Sequence, residues 1–157
     1  VPPASVAKAL TALYAIETLG PGHRFRTRLL ATGPVTDGMV EGDLILAGGG
    51  DPVLSTDRLA DLARLLAQAG VTGARGFRVW GGALPYAAEI APDQLDHLAY
   101  NPAVSGLNLN FNRVFFEWAR SGGGWRLTLD ARGDEHRPLV QVARITAEPR
   151  TLPVYTY

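Results

Sequence analysis

The chain contains no cysteine, a single lysine, a single methionine and no net charge. Without cysteine there is no disulfide framework and no thiolate zinc site, and the compartment is left open. Fifteen basic residues balance fifteen acidic ones. That balance leaves no global cationic field to hold nucleic acid or an anionic membrane. No run of about 18 apolar residues occurs, so no transmembrane segment is expected. No charged stretch ahead of an apolar one marks a signal peptide. Val1-Pro2-Pro3 opens almost directly onto a helix pattern, and Leu152-Pro153-Val154-Tyr155-Thr156-Tyr157 is apolar and aromatic. Both ends read as those of an excerpt.

The chain's 157 residues are enough to bury a core, and 46% of them are apolar. Ser5 to Leu19 reads as a helix, rich in alanine with Leu10, Leu13, Ile16 and Leu19, stopped by Gly20-Pro21-Gly22. It is apolar on most sides, which predicts a buried element. Phe25 to Thr32 and Gly42 to Ala47 flank an Asp37-Gly38 turn and read as a hairpin. Ser55 is the expected N-cap of a second helix whose buried face is Leu59, Leu62, Ala63, Leu66 and Ala69, with Gly70 beyond its end. Phe77 to Trp80 reads as a short strand and Pro92 to Tyr100 as a short helix. Leu107, Leu109 and Phe111 alternate with three asparagines in a strand-like pattern. Val114 to Ala119 and Trp125 to Ala131 flank a glycine loop as a hairpin, and Leu139 to Thr146 supplies a further strand. This order predicts an α+β fold.

Lys8 stands out because the other fourteen basic residues are all arginine. Arg holds its proton at usable pH, whereas a desolvated Lys can act as a base. Ser5, one of only four serines, lies three residues before it. At that offset the two side chains share a helix face and can touch. A serine hydroxyl needs such a base to become a nucleophile. The plainer alternative is an N-capping serine beside a surface lysine. The S-x-x-K pattern is the nucleophile signature of penicillin-interacting serine enzymes, which add an S-x-N triplet and a K-T-G strand. Neither partner occurs here: Ser105-Gly106-Leu107 fails the first, and the only lysine is already used.

Pro3-Ala4-Ser5-Val6-Ala7-Lys8, the apolar helix, Leu19-Gly20-Pro21 and Phe25-Arg26-Thr27 continue into Gly42-Asp43-Leu44, Gly49-Gly50-Asp51-Pro52-Val53-Leu54 and Tyr100-Asn101-Pro102. In that order they resemble the D-Ala-D-Ala carboxypeptidase/endopeptidase penicillin-binding proteins of the low-molecular-mass, class C type. The resemblance covers almost the whole chain. It implies that residues 1–22 begin a catalytic domain, a penicillin-binding/β-lactamase-like body. Residues 23–157 would be part of an inserted domain, with S-x-N and K-T-G after it. It further implies a periplasmic serine peptidase without cofactor, acting on peptidoglycan stem peptides and acylated by β-lactam antibiotics. Ser5 would be the nucleophile and Lys8 its general base. Asp96 and Tyr100 are the implied substrate-binding pair, with Asp93 competing for the acidic role. The rival readings are a β-lactamase or esterase sharing Ser5 and Lys8, and a non-catalytic peptidoglycan-binding module.

Other features read as structural. Gly48 to Asp51 lacks the Gly-Lys-Ser/Thr of a phosphate loop and reads as a tight turn. His23, His97 and His136 lack ligand spacing, so no metal is expected. Trp80, Trp118 and Trp125 come without a basic stripe and read as core or edge aromatics.

Overall fold

A computed structural model of the chain describes residues 3–94 and 98–147. It is an α+β fold, as the element order predicts. A 3₁₀ turn, Ala4–Val6, leads into helix α1, Ala7–Leu19, which Gly20 ends at φ 84°. The helix spans the expected residues, but its expected burial is not met: α1 buries no residue, and Leu10 is 71% exposed. Its apolar side chains point all round the axis, so no single face can be laid on the sheet.

The main sheet is built on strand β3, Met39–Ala47. Strand β1, Arg28–Ala31, pairs antiparallel with its second half, from Arg28 opposite Ala47 to Ala31 opposite Leu44. Strand β2, Val35–Thr36, pairs with its start. The two-residue turn between Thr36 and Met39 puts Asp37 at φ 49° and Gly38 at φ 81°. These are the two positive φ values that a type I′ hairpin turn needs, which Asp-Gly meets at little cost.

Helix α2, Thr56–Gln68, carries the chain to strand β4, Gly73–Trp80, which pairs parallel with the other edge of β3. Ser55 caps α2 by accepting the Arg58 N–H at 3.3 Å, and Gly70 follows its end at φ 81°. Leu59, Leu62 and Leu66 are half-buried, whereas Ala63 and Ala69 lie exposed beside the stripe. Val40, Leu46, Ala47 and Leu54 form the buried apolar core, so the core lies along β3 and the turn that follows it.

The Gly48-Gly49-Gly50 run is a tight crossing of chains. A side chain on Gly48 would meet Gly106 and Leu107, one on Gly49 would meet Arg26, and Gly50 sits at φ 79°. The Gly50 N–H donates to Gly106 at 2.8 Å, and Asp51 then accepts the Val53 N–H at 3.0 Å to close the turn. Strands β5, Phe115–Ser121, and β6, Gly124–Asp130, form a separate hairpin around Gly122 and Gly123, both at positive φ.

Three sequence expectations are corrected. The described residues between Pro92 and Tyr100 form turns, not a helix. Gln94 bonds back to Ala91 and Asn101 to Leu98, each a single turn, so no ladder of helical bonds develops. Residues 107–112 are not a strand: Asn110, Phe111 and Asn112 stand at φ 49°, 59° and 52°, a left-handed turn that asparagine tolerates. The strand expected over Leu139 to Thr146 reduces to one bridge, Leu139 with Asp130, and one bond from Val140 to Leu129. Its apolar residues 139, 140, 142, 143 and 145 do not alternate with polar ones, so the stretch lacks the one apolar and one polar face of an edge strand.

Candidate active site

Ser5 stands in the 3₁₀ turn that opens α1, and Lys8 lies in the first turn of the helix proper. Helical spacing places both side chains on one face. The Lys8 Nζ donates to the Ser5 Oγ at 2.8 Å. The hydroxyl and the amine are therefore within proton-transfer range of each other. The site lies at the positive end of the helix dipole, which favours developing negative charge. Ala4, immediately before Ser5, has φ 47°, a conformation rare for a residue with a Cβ.

Tyr100 occupies the loop before Asn101 and is 61% exposed, whereas Asp96 lies outside the described residues. Asp93, the alternative acid, is exposed in the turn after Pro92. The next residue, Asn101, is the fixed point of this loop. It is only 3% exposed, accepts the Ile90 and Ala91 N–H groups at 2.9 and 2.8 Å, and donates to the Ala91 carbonyl at 3.1 Å. Asn101 thus ties both ends of the segment that presents Tyr100.

A second cluster joins the main sheet body to the hairpin. The Asn110 side chain accepts the Thr56 N–H at 3.1 Å and donates to the Thr56 hydroxyl at 2.9 Å. That hydroxyl donates to the Ala131 carbonyl at 2.6 Å. Beside it, Asp57 accepts the backbone N–H groups of Asp134, Glu135 and His136, and its Oδ1 lies 2.9 Å from His136 Nδ1. The His136 side-chain bond, aided by the backbone donors, holds the Asp57 carboxyl at about 2. Arg132 bonds to Asp130 and Glu117, which raise its pKa, and packs 3.6 Å from the centre of the Phe115 ring.

The alternation of Asn108, Asn110 and Asn112 with leucine and phenylalanine mimics a strand and masks their bonding role in the sequence. The usable signal was the residue type, since four asparagines between positions 101 and 112 suit left-handed turns and local backbone capping. Of the histidines, His23 packs edge-on against Phe25 at 4.8 Å, His136 serves Asp57, and His97 lies outside the described residues. Among the described residues no three His, Asp or Glu side chains are grouped to hold a metal. No described helix is long and apolar enough to cross a membrane.

A family profile described as the D-Ala-D-Ala carboxypeptidase 3 (S13) family matches residues 1–146. The chain belongs to the S13 family. The D-alanyl-D-alanine carboxypeptidase of Actinomadura sp. (strain R39) is 44% identical over 75 residues, 47% of this chain and 14% of that protein. The crystal structure of penicillin binding protein 4 (dacB) from Haemophilus influenzae matches with a TM-score of 0.65 at 25% identity, covering 82% of this chain and 30% of that one. The same protein complexed with a novel beta-lactam matches with a TM-score of 0.58 at 26% identity, over 82% of this chain and 27% of the other. This S13 chain therefore spans between about one seventh and one third of the length of these relatives.

Proposed function

We propose that the chain contributes the nucleophile helix and part of an inserted domain to a serine D-Ala-D-Ala carboxypeptidase/endopeptidase of the periplasm, acting on peptidoglycan stem peptides. The observation that carries this reading is the 2.8 Å contact between Lys8 Nζ and Ser5 Oγ within a chain of the S13 family. The proposed boundary between the two follows residue 22, a reading supported by the Gly20-Pro21-Gly22 stop after α1.

The Lys8 Nζ accepts the Ser5 hydroxyl proton as Oγ attacks the peptide carbonyl. Backbone N–H groups, that of Ser5 among them, hold the tetrahedral oxyanion. Lys8 then returns the proton to the departing amine nitrogen, leaving an ester on Ser5. Water, losing a proton to Nζ, hydrolyses that ester, and the proton goes back to Oγ. No cofactor or metal takes part. The oxyanion donor from a K-T-G strand and the S-x-N residues are not among these 157 residues, so the chain by itself is expected to be inactive.

Asp96 and Tyr100 are proposed to bind the side chain of the peptide substrate. In the full enzyme, Asp96→Ala should weaken peptide hydrolysis and leave the rate of penicillin acylation unchanged, because penicillin lacks that side chain. Equal losses for both substrates would remove Asp96 from substrate binding. A labelled penicillin separates the overall readings: slow loss of a covalent label marks the peptidase, rapid turnover a β-lactamase, and no uptake a non-catalytic module. The Haemophilus protein's complex with a beta-lactam supports uptake of such a label.

A further inference from the structure

We infer that the cleft between the start of α2 and the β5–β6 hairpin is a binding site for the free carboxylate of a short peptide. The cleft encloses about 570 Å³ and is bordered by the left-handed turn at Asn110 and Phe111, the start of β5, and the segment after β6. That volume is in the range of small-ligand pockets. None of its lining residues belongs to the Ser5–Lys8 pair.

Three guanidinium groups line it, those of Arg113, Arg132 and Arg137. Each is fixed or available in a different way. Arg132 uses Nε and Nη2 on Asp130 and Glu117, which neutralise it and leave its Nη1 donors over. Arg113 donates its Nε to the Ala99 carbonyl at 2.5 Å and stands 5.6 Å from the Phe111 ring centre. That leaves both terminal nitrogens of Arg113, the edge that grips a carboxylate in two parallel bonds. Neither Arg113 nor Arg137 has an acidic partner among the described residues.

Asp57 has both oxygens occupied by the backbone of 134–136 and by His136. Asp57 nevertheless stays ionised and, with Asp134, offsets the charge of Arg113 and Arg137, so preference for a carboxylate rests on the two free terminal nitrogens of Arg113. The exposed Phe111 and Phe115 rings supply apolar wall beside the cations. Such a wall suits a ligand with an apolar body and one anionic end better than a small inorganic anion. The choice of a peptide among such ligands rests on the proposed peptidase activity.

Acetyl-Ala-Ala as the free acid, its C-terminal amide and inorganic phosphate are the probes, titrated into the ¹⁵N-labelled full enzyme with the backbone and arginine Nε signals of this cleft followed. The free acid should shift Arg113, Arg137 and the amides of 110–115, and bind at least tenfold more tightly than the amide or phosphate. Arg137→Gln, at an exposed position, should weaken the free acid several-fold with an unchanged circular dichroism spectrum, and Arg113→Gln should weaken it about tenfold. Equal binding of acid and amide, phosphate binding as tight as the acid, or no shift at these residues would overturn the site. Because none of these readouts involves Ser5, penicillin acylation of the full enzyme tests the peptidase reading separately.

Discussion

Helix α1 and the β3–α2–β4 body are built on opposite principles. In α1 every functional relation is local: Ser5 and Lys8 meet because they are three residues apart on a helix, and the helix needs no other element to bring them together. In the body the determining contacts join residues far apart in sequence, such as Thr56 with Asn110 and Ala131, or Asp57 with His136. Local chemistry survives without burial, whereas the non-local network holds only if the fold around it is complete. The two regions should therefore fail in different ways when altered.

The largest expected effect falls on the local pair. Lys8→Arg keeps the positive charge but removes a group able to accept a proton, so penicillin acylation of the full enzyme should fall by about 10³-fold or more with little change in stability. Labelling of that variant at the wild-type rate would separate Lys8 from the chemistry and leave it a surface residue.

The next effect falls on the non-local network. Asn101→Ala strips the Ile90 and Ala91 N–H groups and the Ala91 carbonyl of their partner at a site 3% exposed. It should cost roughly 2–4 kcal/mol, read as a lower urea midpoint. In contrast to Lys8→Arg, it should leave the Ser5–Lys8 contact intact.

Backbone strain gives a smaller loss. Gly50 holds φ 79° at the chain crossing, so Gly50→Ala should destabilise the fold by about 1–2 kcal/mol. Gly20→Ala also replaces a glycine at positive φ, but with open space around it and only α1 behind it. It should fray the helix end without moving the urea midpoint of the body.

The same contrast explains how much was legible in the sequence. The S-x-x-K pair, the Asp37-Gly38 turn, the glycine loop of the second hairpin and the cap of α2 are set by residues within a few positions of each other, and all could be read directly. The described residues between Pro92 and Asn112 could not, because Asn101 bonds to Ile90 and Ala91 and Asn110 to Thr56, partners 10 to 54 positions away. Leucine–asparagine alternation carries the same period as a strand, and only the partners distinguish the two. The burial expected of α1 failed for the converse reason. Helix propensity forms the element, but packing needs a neighbouring face, and the described residues give it none.

The smallest effect is the acid sensitivity of the body. The Asp57 carboxyl is held at about 2, chiefly by His136, below its ordinary value of 3.8. Between these values the unfolded chain binds the proton more readily, so stability rises with pH across that interval. The contribution is fully present above about pH 4 and is lost as pH falls toward 2. Asp57→Asn should flatten that part of the stability profile, and an unchanged acid slope would show that the clamp to residues 134–136 does not act through its charge.

The central claim is that Ser5 carries the acyl group. Incubating the full enzyme with a labelled penicillin, digesting it and locating the adduct by mass tests this most directly. The account predicts a single ester on Ser5, absent from Ser5→Ala. A stable adduct on any other residue, or undiminished labelling of Ser5→Ala, would contradict it.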